Sequence, residues 1–230
     1  MTWIPDQVRD DSGFKMNKKK ILNNFSLYAI TNIQKEDPGI IKKIDAALKG
    51  GADIVQLRSK KLTDAALLRL ALKITPLVQR HKKLFIINDR IDLALLSGAD
   101  GVHLGQDDIS YEQARKVLGK TKIIGRSTHS RAQAVKAAKE GNDYIGVGPV
   151  FSTPTKPTYT PVGLKLVNQV SKSVTIPFVA IGGIDQTNVE QVIEAGARGV
   201  AVVRAVFAKK DVKKASENLV KKINFIRRRK

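Results

Sequence analysis

The chain has 230 residues and no cysteine, which excludes disulfides, thiolate metal sites and a cysteine nucleophile, and suits a reducing cytoplasm. Its 42% hydrophobic content is globular, yet no apolar run approaches the ~20 residues that span a bilayer, so no membrane partner is expected. The formal net charge of +20 raises nucleic acid as a partner, but the cations gather towards the ends of the chain.

Lys18, Lys19 and Lys20 form one cluster, and ten basic residues from Lys209 onward, opposed only by Asp211 and Glu217, form the other. Neither has the interleaved aromatics on which bases stack, so a solvated basic surface is expected and nucleic acid is disfavoured. Residues 1–20 mix Pro, Gly, Asp and Lys without periodicity and read as a disordered leader.

From Ser26 a regular alternation sets in. Short β-type runs recur at 27–31, 54–58, 84–88, 101–105, 122–127, 144–148, 177–183 and 199–204. Helical patterns fill the gaps at 40–49, 65–80, 111–118, 130–140, 163–171, 187–195 and 212–226. Three of these helices end in a similar phrase (KGGADIV, LSGADGV, EAGARGV), with glycine supplying a left-handed cap before the next strand. Asp64, Ser110, Ser130 and Asn188 stand near helix starts, where capping accounts for them.

Eight strands separated by helices predict an α/β fold, a single-domain (β/α)₈ TIM barrel over 21–230 with a basic C-terminal helix. An open doubly wound sheet is the runner-up, but no G-x-G-x-x-G follows the first strand. In a barrel, chemistry belongs at the C-terminal ends of the strands.

Polar residues do gather there. Strand 2 ends with Gln56, Arg58 and Lys60 at every second position, which points all three to one face. Strand 3 ends with Asn88 and Asp89, strand 4 runs through His103 to Gln106, Asp107 and Asp108, and strand 5 ends with Ser127, Thr128 and His129. Strand 6 opens into a loop carrying Ser152, Thr153, Thr155 and Lys156, which is either a tight Pro-rich turn or an anion site.

The cations and aspartates admit two accounts. In one they are salt bridges across the barrel mouth. In the other, Arg58, Lys60 and Lys156 hold phosphate oxygens while Asp89 and Asp108 hold Mg²⁺, an ion that takes one or two carboxylates and completes its octahedron with phosphate and water. The second also employs Gln56, Asn88 and Ser127. After strands 7 and 8, Gly182, Gly183, Val203, Arg204 and Ala205 suggest a second anion site. None of the three histidines has metal-ligand spacing, so positioning and charge stabilisation are expected to carry the chemistry.

The ordered set QLRSK, INDR, GVHLGQDD, GRSTH, YIGVGPVFSTPTK, VAIGGI and GVAVVRA resembles the thiamine-phosphate synthase family across 27–208. The resemblance implies a barrel that joins hydroxymethylpyrimidine pyrophosphate to thiazole phosphate, with Mg²⁺ as cofactor and small phosphorylated molecules as partners; homo-oligomerisation is left open. By the same resemblance, Gln56 meets the pyrimidine, and Arg58, Lys60, Asn88 and Lys156 hold its pyrophosphate. Asp89 and Asp108 bind Mg²⁺, and Ser127 lies near the breaking bond. Arg58, Ser127 and Lys156 thereby become the expected catalytic set.

Thr153, Thr155, Gly183, Val203 and Arg204 would bind the thiazole phosphate. Arg126 and Arg204 depart from the family pattern, which favours a small or aliphatic residue and a serine at these positions. A thiazole tautomerase shares the fold but needs no pyrophosphate grip, and 144–157 holds no histidine for its acid/base work.

Overall fold

The computed structural model describes residues 17–155 and 158–229. Most of the expected leader, together with Lys156, lies outside the described residues. Residues 17–20 of that stretch are ordered, against the expectation from their composition. Lys18, Lys19 and Lys20 form the first turn of helix α1 (Lys18–Asn24), capped by the Asn17 side chain, which accepts from the Lys20 N–H at 2.9 Å. A seven-residue helix is too short to show a period and is not stable alone; tertiary burial decides it.

The strands are β1 (Leu27–Ile30), β2 (Ile54–Leu57), β3 (Leu84–Asn88), β4 (Gly101–Leu104), β5 (Ile123–Thr128), β6 (Tyr144–Val147), β7 (Phe178–Ile181) and β8 (Gly199–Val202). Each lies within or overlaps its predicted run. They pair in parallel, in sequence order, and β8 closes on β1 with Tyr28 opposite Ala201. The doubly wound alternative is thereby excluded.

Alternation sorts each strand into two layers. Tyr28, Ile30, Ile54, Ile86, Ile123 and Tyr144 fill the barrel, while Leu27, Ala29, Val55, Ile87 and Ile124 face the helices. Both faces are buried, which is why the strands read as continuous apolar runs. Leu22 of α1 and Phe25 join the inner cluster and stopper the N-terminal end of the barrel.

The surrounding helices are α2 (Ile40–Lys49), α3 (Asp64–Arg80), α4 (Ile91–Leu96), α5 (Tyr111–Leu118), α6 (Arg131–Glu140), α7 (Gly163–Ser171), α8 (Val189–Glu194), α9 (Arg204–Phe207) and α10 (Val212–Arg228). The six-residue α4 carries too few residues to announce itself by periodicity. Ser110 and Ser130 cap α5 and α6 as expected. Asp64 instead occupies the first turn of α3, with Thr63 as the cap, and Asn188 turns its side chain back to the preceding loop.

α10 packs on α2 and α8, closing the helical ring. It buries Leu219, Ile223 and Ile226, and Arg227 donates to the Phe25 carbonyl at 2.6 Å. Part of the basic C-terminus therefore fastens the helix to the stoppered end. Among the described residues no helix is long and apolar enough to cross a membrane.

Candidate active site

The C-terminal ends of the strands surround a cavity of about 420 Å³. Its floor is a buried polar chain. Gln56, 2% exposed, donates from Nε2 to the Tyr28 hydroxyl at 2.6 Å. Tyr28 Oη lies 2.9 Å from Tyr144 Oη, which lies 2.9 Å from His103 Nδ1, and His103 Nε2 lies 2.9 Å from Ser127 Oγ.

Gln56 donates into this chain of hydroxyl and imidazole groups, and the His103 tautomer sets the direction of the bonds beyond it: Nδ1 and Nε2 take opposite roles in a neutral ring, so Tyr144 and Ser127 meet one donor and one acceptor. Burial pushes both phenols above their ordinary pKa, which keeps these donors intact. Tyr144→Phe breaks the chain at its middle and is expected to lower stability by about 1–3 kcal/mol, the cost of orphaned buried polar groups. An unchanged thermal midpoint would mean that the chain contributes nothing to the barrel.

The β2–β4 side of the mouth is charged. Arg58 donates from Nη1 to Asn32 Oδ1 at 2.5 Å, and its backbone N–H is held by Thr31 Oγ1. Burial lowers the Arg58 pKa, and the field of Asp89 opposes the shift. Lys60 Nζ reaches Asp89 Oδ2 at 2.5 Å, with 61% of the lysine side chain exposed. A pair this open is worth only about 0–1 kcal/mol, so the lysine can turn to another anion at little cost.

Asp89 has a φ of 62°, in the left-handed region where aspartate is tolerated but uncommon. Asp108 accepts from the Gly105 N–H at 2.6 Å. Its carboxyl is pushed up, first by burial and then by the neighbouring charge of Asp89, against the pull of that N–H. Two carboxylates are therefore held close enough to repel each other.

The β6–β8 side is built from loops. Pairing continues past the sheet, with the Phe151 N–H on the Gly182 carbonyl at 3.0 Å, which sets the 151–155 loop beside Gly183. Thr153 and Thr155 line the cavity there. Asn188 braces the opposite loop, donating to the Gly183 carbonyl at 2.8 Å and accepting from the Asp185 N–H at 2.9 Å. Val203, at the start of α9, and Arg204 complete that wall.

Of the sequence-predicted residues, Gln56, Arg58, Asn88 and Ser127 line the cavity on one side, and Thr153, Thr155, Gly183, Val203 and Arg204 on the other. Lys60, Asp89 and Asp108 stand together on the rim rather than in the wall. Lys156 lies outside the described residues.

Sequence reasoning missed several neighbours. Asn32 follows β1, the one strand end whose polar residues were not considered. Tyr28 and Tyr144 are indistinguishable from core residues in sequence. His129, found at the strand-5 end but given no site role there, lines the cavity and donates from Nδ1 to the Gly148 carbonyl at 2.5 Å, with Tyr159 against its ring. Lys209 reaches the cavity from beyond α9, hidden in the sequence among the C-terminal cations.

Fold and site together define a (β/α)₈ barrel whose polar side chains converge on one cavity at the C-terminal mouth. Residues 27–206 match the family described as thiamine monophosphate synthase. The thiamine-phosphate synthase of Shouchella clausii is 46% identical over 199 residues, 85% of this chain and 95% of that protein. The thiamine-phosphate synthase of Synechococcus sp. strain WH7803 is 46% identical over 205 residues. The match takes in 88% of this chain but only 58% of that relative. Among solved structures, thiamine phosphate pyrophosphorylase from Pyrococcus furiosus superposes with a TM-score of 0.82 at 35% identity, covering 90% of this chain and 98% of its own. The chain belongs to the thiamine monophosphate synthase family.

Proposed function

We propose that the protein joins hydroxymethylpyrimidine pyrophosphate to thiazole phosphate, forming thiamine phosphate and releasing pyrophosphate. The observation that carries this is a single cavity with two separate anion-compatible walls. Arg58 and Asn88 stand on one side, and Gly183, Val203 and Arg204 on the other. In a closed ring of eight, β3, which ends in Asn88, stands across from β7, which Gly183 follows, a separation that suits two phosphorylated reactants meeting in the middle.

Gln56 orients the pyrimidine, while Arg58, Lys60, Asn88 and Lys156 take the pyrophosphate. Asp89 and Asp108 fit a divalent ion. Burial first, and then the repulsion from Asp89, raises the Asp108 pKa, and a cation held by the two carboxylates would relieve that repulsion. Among the described residues no cluster of three or more His, Cys, Asp or Glu side chains could hold a metal, and Mg²⁺ held by Asp89 and Asp108 would take its other ligands from substrate and water. Bound there, Mg²⁺ contributes positive charge that favours departure of pyrophosphate.

The C–O bond to the pyrophosphate breaks with its electron pair leaving on oxygen, and Arg58, Lys60 and Lys156 stabilise that charge. The pyrimidine-stabilised carbocation is then captured by the thiazole nitrogen, whose lone pair forms the new C–N bond. No general base is required. The Ser127 hydroxyl stands beside the pyrimidine near the breaking bond, and Thr153, Thr155 and the backbone around Gly183, Val203 and Arg204 hold the thiazole phosphate. The net charge of +20 adds long-range attraction for both anionic reactants.

Purified protein given both substrates and Mg²⁺ is expected to form thiamine phosphate, with formation stopping in EDTA and returning on addition of Mg²⁺. Full turnover in EDTA would remove the metal from this reading. Isomerisation of a thiazole phosphate without coupling would put the tautomerase in its place.

A further inference from the structure

Arg126 is a buried cation outside the substrate-facing set. It is 6% exposed and follows Gly125, which abuts Tyr144 inside the barrel, and precedes Ser127, which lines the cavity. Alternation turns its side chain outward, to the same side as Ile124 and the α5 layer. From there the guanidinium reaches the β4–α5 loop. Nη1 donates to the Gly105 carbonyl at 2.5 Å and Nη2 to the Ile109 carbonyl at 2.8 Å. Among the described residues it has no carboxylate at salt-bridge distance, so its charge is committed to two backbone oxygens.

Those oxygens bracket residues 106–108. The loop is otherwise thinly held, with Gln106, Asp107 and Ile109 exposed. Gly105 is fixed at both ends of its peptide units: its carbonyl accepts from Arg126, and its N–H donates to Asp108 Oδ2 at 2.6 Å. Gln106 Nε2 donates to the Ser127 carbonyl at 2.5 Å. Every one of these ties from the loop to β5 ends on Arg126 or its neighbour Ser127. A planar fork can span two carbonyls in fixed geometry; an aliphatic residue or a single ammonium cannot.

We propose that Arg126 is a positioning residue that clamps the 105–109 loop from beneath and so sets the Asp108 carboxylate against Asp89. This rests on the reading of Asp89 and Asp108 as the carboxylates for a divalent ion. Substitutions that disturb the support of metal ligands commonly weaken metal affinity about 10–100-fold.

The test compares the full-length protein with Arg126→Met, which keeps the bulk and removes both donors, Arg126→Lys, and Asp108→Asn. Two signals are followed: amide hydrogen exchange of the 105–109 segment, and Mn²⁺ binding in the presence of pyrophosphate, read by electron paramagnetic resonance. Arg126→Met is expected to speed exchange in that segment and weaken Mn²⁺ binding about tenfold or more. Its KM for thiazole phosphate should stay within about twofold, because the β6–β8 wall is untouched.

Arg126→Lys should recover only part of the loss, and it carries the test if the methionine variant fails to fold. Parental exchange and Mn²⁺ binding in both Arg126 variants would overturn the clamp. Parental Mn²⁺ binding in Asp108→Asn would instead overturn the metal reading beneath it, and the exchange signal would then judge the clamp separately.

Discussion

Asp89→Asn is expected to lower kcat for thiamine phosphate formation about 10²–10³-fold, the scale of losing one preorganised electrostatic group. The fold should be left intact. Asn is nearly isosteric and tolerates the left-handed backbone that Asp89 adopts at φ 62°, so no new strain enters. The ion pair surrendered with Lys60 is open to solvent on the lysine side and is worth about 0–1 kcal/mol. Asp89→Ala is a less clean experiment, because alanine at this φ adds roughly 1–2 kcal/mol of backbone strain. A variant with parental kcat and a lowered thermal midpoint would return Asp89 to the structural account, in which it merely closes the barrel mouth.

Gly183→Ala is expected to reduce kcat/KM for thiazole phosphate about 10²-fold, the penalty that an ångström-scale misplacement can carry. Gly183 has a φ of 64°, and a Cβ there would stand 2.5 Å from the Ser152 carbonyl oxygen and 2.7 Å from Phe151 Cβ. The first of those atoms is backbone, so no rotamer change relieves the contact. Either the Gly183 loop or the 151–155 loop must move, and with it Thr153 and Thr155 or the peptide before Ile184. Affinity for the pyrimidine pyrophosphate, measured separately, should change by less than about threefold, since Arg58 and Asn88 stand on the other wall. Equal losses for both substrates would show that the two walls are not independent.

Both experiments test residues that were legible in the sequence, and the reason is positional. Parallel strands buried on both faces appear as short apolar runs, so their C-terminal ends can be found, and whatever polar residues stand there become candidates. Gln56, Asn88, Asp89, Ser127 and Gly183 were reached in this way. Asn32 was open to the same logic, because Thr31 and Asn32 follow β1 as Asp89 follows β3. Lys209 was obscured by its company, since a lysine beside Lys210 and ahead of Lys213 reads as one more solvated charge.

Other features had no local trace. Leu22 and Phe25 plug the barrel only because the ring closes above them. The pairing of Lys60 with Asp89, and of Arg126 with the carbonyls of Gly105 and Ile109, joins residues 29, 21 and 17 positions apart through neighbouring strands. The chain from Gln56 through Tyr28, Tyr144 and His103 to Ser127 crosses the barrel interior and uses strands from around the ring.

By itself the sequence determined the eight-stranded alternation, the family, and the set of polar residues at the strand ends. All three depend on local period and order along the chain. Tertiary structure decided which of those residues meet: that Asp89 and Asp108 lie side by side on the rim, that Ser127 joins His103 at the cavity wall, and that Arg126 turns away from it. Contacts between strands are set by ring closure and register, and a period-two pattern reports the face of a residue but not its neighbour across the sheet.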